Sequence, residues 1–342
     1  MRVLYGVQAT GNGHITRARV MAPALERAGV EVDYLFSGRS EDQLFNMEPF
    51  GDYQTRQGLT FVQRDGRVKM LETLRNNNPL RCWRDAGELD LSGYDRVITD
   101  FEPVTAWAAK RQKAPSVGIA HQYALCYPIP GYNYQLLSRL IQLFAPVETA
   151  IGVHWHHFDC PVLPPLIQPP LFEPTLETDK VLVYLPLNPV PELEARFSVF
   201  EDHRFYIYCG IDEPYQRGNL YFMPFSREGF QHDLSSCSGV VTHCGFGLIS
   251  EAFQCGKKVF SIPIKGQFEQ LSNAYVLETL GLATIAKDFE ESLLFDWLEL
   301  EQPEPRVTPD VASHLASWIA NNCCESPAEL AKRLWQQDVA SV

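Results

Sequence analysis

The sequence predicts an α/β protein made of two doubly wound, mainly parallel β-sheet domains. In each half of the chain, short apolar runs alternate with stretches of helical spacing, which is typical of strands joined by helical crossovers. The 342 residues also exceed what one hydrophobic core usually accommodates, so two domains are expected. We place an N-terminal domain at 1–159, a linker at 160–175 and a C-terminal domain at 176–342.

The N-terminal half begins with a βαβ pattern. Residues 2–8 form an apolar run, 15–28 have helical spacing, and Gly29 ends that helix before the next apolar run at 30–36. The alternation returns further along the chain, so a parallel sheet with helical crossovers is predicted. Its later elements are strands at 94–99 and 115–120 with a helix at 101–113 between them.

A proline-rich segment separates the two halves. Residues 160–174 contain six prolines, which fit neither the interior of a helix nor a central strand. The alternation then resumes, and two helices near 309–320 and 326–339 end the chain, the last of which could pack back on the N-terminal domain. The strands of this half are predicted at 180–185, 204–209, 219–222, 238–242 and 257–262.

The composition is that of a folded protein and argues against several functional classes. The hydrophobic fraction of 45% and the charged fraction of 21% are typical of globular proteins. A formal net charge of −13 argues against nucleic acid as a partner. No apolar run reaches the roughly 18–20 residues of a membrane span, and Met1 leads into a strand instead of a signal peptide. We therefore expect a cytoplasmic protein whose membrane contact is at most peripheral.

The chain lacks a strong metal-binding pattern. Its nine cysteines are scattered and show no paired CxxC spacing, which suits reduced thiols. The run 154–159 holds three histidines and an aspartate. In an extended segment, however, His154 and His156 face one side while His157 and Asp159 face the other. Few ligands would converge, so we interpret the run as a hinge or as the lining of an acceptor site, and expect no metal.

Residues 241–253, VTHCGFGLISEAF, predict a binding turn for phosphate. The strand at 238–242 ends here and helical character begins near Leu248, so His243 and two glycines fall in the turn between them. Ligands bind at such turns in open α/β sheets, and the N–H groups of a helix start favour an anion. Glu251 lies one turn into the helix, where it could hold the cis-diol of a ribose. The alternative is a tight turn with a buried histidine and an exposed glutamate.

The strand at 257–262 is followed by a segment that we expect to be a polar loop. A carboxylate and an amide side by side on this loop could accept and donate hydrogen bonds to the hydroxyls of a sugar. The residues concerned are Gln267, Glu269, Gln270, Asn273 and Ala274.

Together these residues resemble the donor motif of GT-B glycosyltransferases, most closely that of the MurG-like and UDP-glycosyltransferase groups. The residues that carry the resemblance are Thr242, His243, Cys244, Gly245, Glu251, Ala252, Gly256, Pro263, Glu269, Gln270, Asn273 and Ala274. The resemblance implies a GT-B fold, in which two Rossmann-like domains face a cleft. It also implies that the turn contacts the donor diphosphate, the glutamate takes the ribose hydroxyls, and the acidic residue and glutamine take the sugar. These roles fall on His243, Gly245, Phe246 and Gly247, on Glu251, and on Glu269 and Gln270, respectively. The sequence departs from the motif at Gly247-Leu248, where plant members usually carry Asn-Ser.

The loop after the first strand, ATGNGH at 9–14, resembles the glycine-rich loop of the same family. In the UDP-glycosyltransferase group the histidine of this loop deprotonates the acceptor hydroxyl and an aspartate on a later strand orients it, which points to His14 and Asp100. A dinucleotide-binding loop is a weaker interpretation, because Thr16 stands where that motif needs its third glycine. The loop glycines assigned to donor binding are Gly11 and Gly13.

The sequence leaves alternatives for the catalytic residues. His14 could contact a phosphate or only support the loop. Asp100 could cap the helix that begins near Pro103, and Glu102 is a second carboxylate close by.

The sequence as a whole predicts an inverting, metal-independent glycosyltransferase. A single displacement would move a sugar from a nucleotide-diphosphate donor, expected to be UDP-linked, to a hydroxyl acceptor, without a cofactor. The acceptor is not specified by any motif, and a lipid or a glycan are both possible. Two other functions stay open: a nucleotide-sugar 2-epimerase of the same fold, which would release a free sugar, and a non-catalytic nucleotide-sugar-binding protein.

Two further segments have ordinary interpretations. The apolar helix candidate at 134–144 is expected to be a core helix, with an acceptor groove or a membrane-facing patch as alternatives. Arg64, Arg67 and Lys69 form a small basic patch in an expected loop, which we interpret as solvated surface.

Overall fold

The computed structural model describes residues 1–60, 63–64, 67–68 and 77–339, the side chains of 63–64, 67–68 and 337–339 excepted. The chain divides into two α/β units. The first comprises residues 1–60, 77–167 and 308–339, and the second comprises 168–307 together with 63–64 and 67–68. The sequence placed both C-terminal helices in the second domain and allowed the last one to pack back on the first, whereas the structure assigns both to the first unit. The basic patch of Arg64, Arg67 and Lys69 lies outside the described side chains.

The first unit is built on a six-stranded parallel sheet in the order β3-β2-β1-β6-β7-β8. Up to residue 167 the strands are β1 (Arg2–Gln8), β2 (Glu31–Ser37), β3 (Tyr53–Arg56), β4 (Gln63–Arg64), β5 (Arg67–Val68), β6 (Arg96–Asp100), β7 (Ser116–Ala120) and β8 (Thr149–Gly152), of which β4 and β5 form a separate antiparallel pair. The helices are α1 (Asn12–Arg27), α2 (Pro79–Glu88), α3 (Pro103–Gln112), α4 (His121–Ala124) and α5 (Tyr134–Phe144), with 3-10 turns at Glu41–Gln43 and Glu48–Phe50.

Strand β1 is the centre of this sheet and positions the site that follows it. Its residues from Val3 onward are buried, and its register pairs Val7 with Asp100 of β6. A Cβ on Gly6 would lie 2.0 Å from Thr105 Oγ1, so only glycine lets α3 pack this close to the strand. The carboxyl ends of β1 and β6 therefore lie side by side at one edge of the sheet.

The second unit contains a seven-stranded sheet in the order β11-β12-β10-β9-β13-β14-β15, parallel except for β11. Its strands are β9 (Lys180–Tyr184), β10 (Arg204–Tyr208), β11 (Tyr215–Arg217), β12 (Leu220–Met223), β13 (Gly239–Thr242), β14 (Lys258–Ser261) and β15 (Thr284–Ile285). Its helices are α6 (Val190–Phe197), α7 (Arg227–Ser236), α8 (Phe246–Gln254), α9 (Phe268–Thr279) and α10 (Glu291–Leu298). The strands predicted in both halves are confirmed, with ends that shift by one or two residues.

Two helices complete the first unit, α11 (Val311–Ala320) and α12 (Pro327–Val339). Helix α11 packs against α1, where Arg27 donates a 3.3 Å hydrogen bond to Ser313. Helix α12 is tied to the loop after β8, because the indole N–H of Trp335 donates to the carbonyl of Val162 at 2.8 Å. The end of the chain is thus part of the unit that contains its beginning.

Helix α5 differs from the expectation of a core helix. Ile141 is its one buried residue, while Leu136, Leu140 and Leu143 are exposed on one face. Within the residues that the structure describes, no helix is long and apolar enough to cross a membrane.

Candidate active site

The turn after β13 places a helix start at the carboxyl edge of the second sheet. Strand β13 ends at Thr242 and α8 begins at Phe246, two residues earlier than its sequence suggests, with Gly245 as its N-cap. A Cβ on Gly245 or Gly247 would meet no protein atom within 4 Å, and neither backbone has a positive φ. The fold itself does not require glycine at these positions. The space above them is open to a ligand that approaches the helix start.

His243 is fixed by its Nδ1 atom, which lies 2.9 Å from the carbonyl oxygen of Ile262. A carbonyl only accepts, so Nδ1 carries a proton and the Nε2 of the neutral ring is a lone pair. Burial lowers the pKa of His243; the hydrogen bond to Ile262 opposes this effect and the charge of Arg196 adds to it. Nε2 is itself buried and has no hydrogen-bond partner among the described residues. An anion close to Nε2 would supply both a partner and a reason to protonate the ring.

Glu251 is buried on α8 and hydrogen-bonded to a residue that the sequence did not reveal. Its Oε2 accepts a 2.8 Å hydrogen bond from Nε2 of Gln231 on α7. Burial raises the pKa of Glu251, and the bond from Gln231 and the charge of Arg227 partly offset this. The alternative of an exposed glutamate is therefore wrong. Helix α7 was not predicted as an element, which is why the sequence offered no signal for Gln231.

His14 and Asp100 come together at the carboxyl edge of the first sheet. His14 Nδ1 lies 2.6 Å from Oδ1 of Asp100, although 86 residues separate them in sequence. Asp100 is completely buried. His14 is in the first turn of α1 and not in the preceding loop, since the helix begins at Asn12. A Cβ on Gly11 or Gly13 would again meet no protein atom within 4 Å.

Arg17 is a third member of this cluster and was missed by the sequence analysis. Its guanidinium donates from Nε to Oδ2 of Asp100 at 2.7 Å and from Nη2 to Oδ1. Burial by itself raises the pKa of Asp100, but the charges and hydrogen bonds of Arg17 and His14 outweigh it and hold that pKa below its ordinary value. His14 and Arg17 are three residues apart, so both lie on one face of α1. The sequence did not reveal this, because the helix was predicted to start at residue 15, after His14.

The contacts of Asp100 determine which nitrogen of His14 carries the proton. Arg17 Nη2 also lies 2.9 Å from His14 Nδ1, and a guanidinium has no acceptor atom. Nδ1 cannot both donate to Asp100 and accept from Arg17. The shorter 2.6 Å contact to a buried, ionised carboxylate favours Nδ1–H, which leaves Nε2 as the base.

The family is shown by a comparison of the sequence with models of known protein families. The model described as glycosyl transferase family 1 matches residues 1–300. The chain belongs to glycosyl transferase family 1. No curated protein matches it closely enough to add to this assignment.

The similarity between this glycosyltransferase and solved structures covers nearly the whole chain. Arabidopsis thaliana UGT89C1 complexed with UDP has a TM-score of 0.60 and 11% identity, covering 99% of this chain and 98% of that one. The glycosyltransferase SnogD from Streptomyces nogalater has a TM-score of 0.54 and 18% identity, with 99% of both chains covered. MurG of Acinetobacter baumannii has a TM-score of 0.53 and 14% identity, covering 98% and 99%. At these identities the likeness shows the fold, which is the GT-B fold that the donor motif implied.

Glu102 does not compete with Asp100 in the glycosyltransferase. Its carboxylate caps α3 by accepting from the backbone N–H groups of Val104 and Thr105, and it also accepts from Ser37 Oγ at 2.6 Å. Burial raises the pKa of Glu102 even with these hydrogen bonds. The cap of α3 is thus Glu102, and the alternative that Asp100 fills this role is wrong.

The structure changes the interpretation of Glu269 and Gln270. Both lie in the first turn of α9 and not on a loop. Gln270 Oε1 accepts a 2.9 Å hydrogen bond from the N–H of Ile264, and Asn273 Nδ2 donates to the carbonyl of Cys244 at 2.9 Å. Two of the predicted polar residues therefore hold the loops after β13 and β14 in place. With Oε1 in this bond, the side chain of Gln270 can still donate from its NH₂ group and accept at the second lone pair of Oε1.

The histidine run at 154–157 is organised by the protein backbone. His154 is buried, and its Nδ1 accepts from the N–H of Trp155 at 2.9 Å, while Nδ1 of His156 accepts from Phe158. Burial lowers the pKa of His154 well below its ordinary value, with His121 and His156 adding to the effect. Across the described parts of the chain, no cluster of three metal-ligating side chains is present.

Proposed function

We propose that this glycosyltransferase moves a sugar from a nucleotide-diphosphate donor to a hydroxyl acceptor in one displacement, with inversion at the anomeric carbon. The observation that carries the proposal is the buried Asp100, paired with His14 so that Nε2 of the imidazole is the free base. In this reaction Nε2 accepts the hydroxyl proton as the acceptor oxygen bonds to the anomeric carbon, and the bond to the diphosphate oxygen breaks with its electron pair. One such displacement inverts the configuration.

The donor side of the proposal rests on the residues around the start of α8. The diphosphate is assigned to the N–H groups near Gly245 and Gly247, with His243 as an imidazolium. We propose that this cation and the helix start balance the leaving diphosphate, so that neither a divalent ion nor a cofactor is needed. Glu251 is assigned to the ribose hydroxyls, and Glu269 with the NH₂ of Gln270 to the sugar.

Aromatic residues on the same sheet edge support a nucleoside position. Phe225 is half exposed, with its ring centroid 6.2 Å from that of Tyr184, and Phe230 lies 5.4 Å from Tyr184. An exposed ring beside a helix start suits stacking with a base. UDP is the proposed nucleotide, on the resemblance of the donor motif and on the fold shared with a protein that is complexed with UDP.

Nucleotide binding tests the donor assignment directly. We expect one of UDP, GDP and TDP to raise the thermal midpoint and to give a calorimetric isotherm, with UDP the tightest. Glu251→Gln should weaken that binding by about 1.5–3 kcal/mol, the range of a hydrogen bond to a charged group. Glu278→Gln, an exposed change on α9, is the matched control. If none of the nucleotides binds, the donor assignment fails.

Product analysis separates transfer from the two other functions. With a nucleotide sugar and a panel of hydroxyl acceptors, the proposal requires a glycoside of inverted anomeric configuration. Free epimerised sugar formed without an acceptor would identify a 2-epimerase. Tight nucleotide binding without turnover of any donor would identify a binding protein.

We propose a peripheral membrane contact through the exposed face of α5. Leu136, Leu140 and Leu143 follow helical spacing on this face, and Trp107 of α3 donates its indole N–H to the carbonyl of Leu143 at 3.2 Å. Cations flank the patch: Lys110 lies 4.8 Å from the Trp107 ring, and Arg111 lies 4.8 Å from that of Trp83. An apolar stripe with cations beside it suits an anionic lipid surface.

Vesicle binding tests this contact. The protein should sediment with vesicles that contain phosphatidylglycerol and not with pure phosphatidylcholine. Leu140→Asn together with Leu143→Asn should abolish the effect, whereas Leu171→Asn, at an exposed leucine of the second unit, should preserve it. Equal sedimentation of all these proteins would contradict a specific contact.

A further inference from the structure

A cavity of about 740 Å³ opens in the first unit at the carboxyl ends of β2 and β3, within the size range of small-molecule sites. The cavity walls come from the end of β3, from the segments after β2 and β3, and from one face of α2. The residues that line it include Arg39, Glu41, Arg56, Thr60, Arg81 and Asp85. No part of the donor assignment or of the His14 cluster accounts for it.

The cavity is on the edge of the sheet that carries the catalytic pair. Strands β2 and β3 are the first and second neighbours of β1, and the three run parallel, so their carboxyl ends share this edge. With neighbouring strands about 4.8 Å apart, the cavity lies roughly 5–10 Å to one side of the loop that leads to His14. Arg39 connects the two regions, since it donates to Oδ1 of Asn12 and to the carbonyl of Thr10, each at 3.0 Å.

Three guanidinium groups give the cavity its chemistry. Arg39 is held by the contacts just described, and Arg56 is oriented by the carbonyl of Thr55 at 2.8 Å and by Oε1 of Gln54 at 3.2 Å. Neither Arg56 nor Arg81 forms an ion pair with any residue that the structure describes. Two of the three cations are thus held in place, which lowers the ordering cost of binding an anion. In a chain with a net charge of −13, such a group of arginines is a local exception.

Asp85 adds a second requirement for the ligand. Its side chain is buried in the cavity wall, and Oδ2 has no hydrogen-bond partner among the described atoms. A buried carboxylate oxygen without a donor is costly, and a ligand hydroxyl would satisfy it. The cavity therefore combines sites for an anionic group with one for a hydroxyl donor.

We propose that this cavity binds the acceptor, and that the acceptor is a hydroxylated molecule with an anionic group, a phosphate or a carboxylate, held by Arg39, Arg56 and Arg81. The inference rests on the proposed function, because it identifies the acceptor whose hydroxyl His14 would deprotonate. The anionic group would occupy the cavity while a hydroxyl several ångströms away reaches His14.

Phosphate binding tests the site without a knowledge of the acceptor. Inorganic phosphate is titrated by calorimetry into the full-length protein and into Arg56→Gln, Arg81→Gln and Arg84→Gln. Arg84 is the matched control, because it lies on α2 with Arg81 but does not line the cavity. We expect affinity to fall about tenfold or more in the first two variants and to stay unchanged in the third. His243→Gln reports any phosphate bound at the donor site.

Two results would overturn the proposal. One is phosphate binding that is absent or that falls only in His243→Gln, and the other is an equal loss in Arg84→Gln, which would indicate a general effect of charge. UDP binding is measured on the three arginine variants, where it should be unchanged, and on His243→Gln, where it should weaken, so failure of the donor site is seen separately. Glucose 6-phosphate and glucuronate then distinguish a phosphorylated acceptor from a sugar acid. Binding of glucose as tight as either would contradict the anionic class.

Discussion

At the residue scale, the proposed chemistry depends on one buried carboxylate that is shared between a histidine and an arginine. Asp100 accepts from both His14 and Arg17, and Arg17 contributes a positive charge that the isolated pair would lack. Arg17 thus keeps Asp100 ionised and holds its carboxylate beside His14. We regard it as a positioning residue.

Removing Arg17 should lower the stability of the protein in a pH-dependent way. The folded-state pKa of Asp100 is lowered, so its pairing with Arg17 stabilises the fold above about 3.8, the ordinary value, and this contribution is lost as the pH falls through the lowered pKa. In Arg17→Gln the free energy of unfolding near neutral pH should fall by about 3–5 kcal/mol, and the difference from the wild type should shrink in acid. Denaturant unfolding as a function of pH measures this. Arg27→Gln, at the other end of α1, is the control, and a loss that is the same at every pH would contradict the role of the ion pair.

The buried Glu251 should lower stability in exchange for a role in binding. Burial raises the pKa of Glu251 in the folded state above about 4.5, its ordinary value. The buried carboxylate therefore lowers the free energy of unfolding fully at a pH above the folded-state pKa. This loss disappears as the pH falls below about 4.5, where the side chain is protonated in both states. Glu251→Gln keeps an acceptor for Gln231 but has no charge. We expect its free energy of unfolding at pH 8 to be equal to or above that of the wild type, with the difference gone near pH 4.5. Denaturant unfolding at the two pH values measures this, and a variant less stable at pH 8 would contradict it.

At the element scale, the sequence predicted the strands well and the surroundings of the candidate site residues less well. Buried parallel strands are short apolar runs between helical stretches, and β1, β6, β9 and β13 all stand out in this way. The burial of helix α5 was predicted wrongly, because the sequence pattern of an apolar helix is the same whether its apolar face packs against a core or is exposed. Gln231 and Arg17 were missed because their partners are 20 and 83 residues away, and single-sequence patterns do not report such contacts.

Glycine 247 offers a test of the start of α8 as a binding element. Position 247 is helical with open space around the absent Cβ, so Gly247→Ala should raise stability by about 0.5–1 kcal/mol through helix propensity. The added methyl group would occupy the space assigned to the diphosphate and should weaken UDP binding. Thermal unfolding and calorimetry on one preparation give both quantities. At Gly239 a Cβ would lie 2.6 Å from Trp297, so Gly239→Ala should instead destabilise the second unit. Unchanged UDP affinity in Gly247→Ala would place the diphosphate elsewhere.

At the scale of the whole molecule, the order of the chain and the division into units do not coincide. The second unit is largely one continuous stretch, whereas the first is closed by residues 308–339. Sequence patterns identified the two last helices and allowed only the last of them to pack on the first domain, because amphipathic spacing specifies that a face is buried and not what buries it. The apolar face of α11 packs on α1, the helix that begins at Asn12 and carries His14 and Arg17.

A core change in α11 should therefore affect the first unit and spare the second. Leu315 is completely buried, so Leu315→Ala should cost about 2–5 kcal/mol of unfolding free energy, and this loss belongs to the unit that holds His14. Turnover should fall at temperatures where that unit begins to unfold, while UDP affinity at low temperature stays at the wild-type value, because Glu251 and the start of α8 lie in the other unit. Calorimetric unfolding with and without UDP separates the two effects, and Ser317→Ala, exposed on the same helix, should change neither. If Leu315→Ala lowered UDP affinity at a temperature where both units are folded, the UDP site would extend to the first unit, where Gly11 and Gly13 lie, instead of resting on Glu251 and the start of α8 alone.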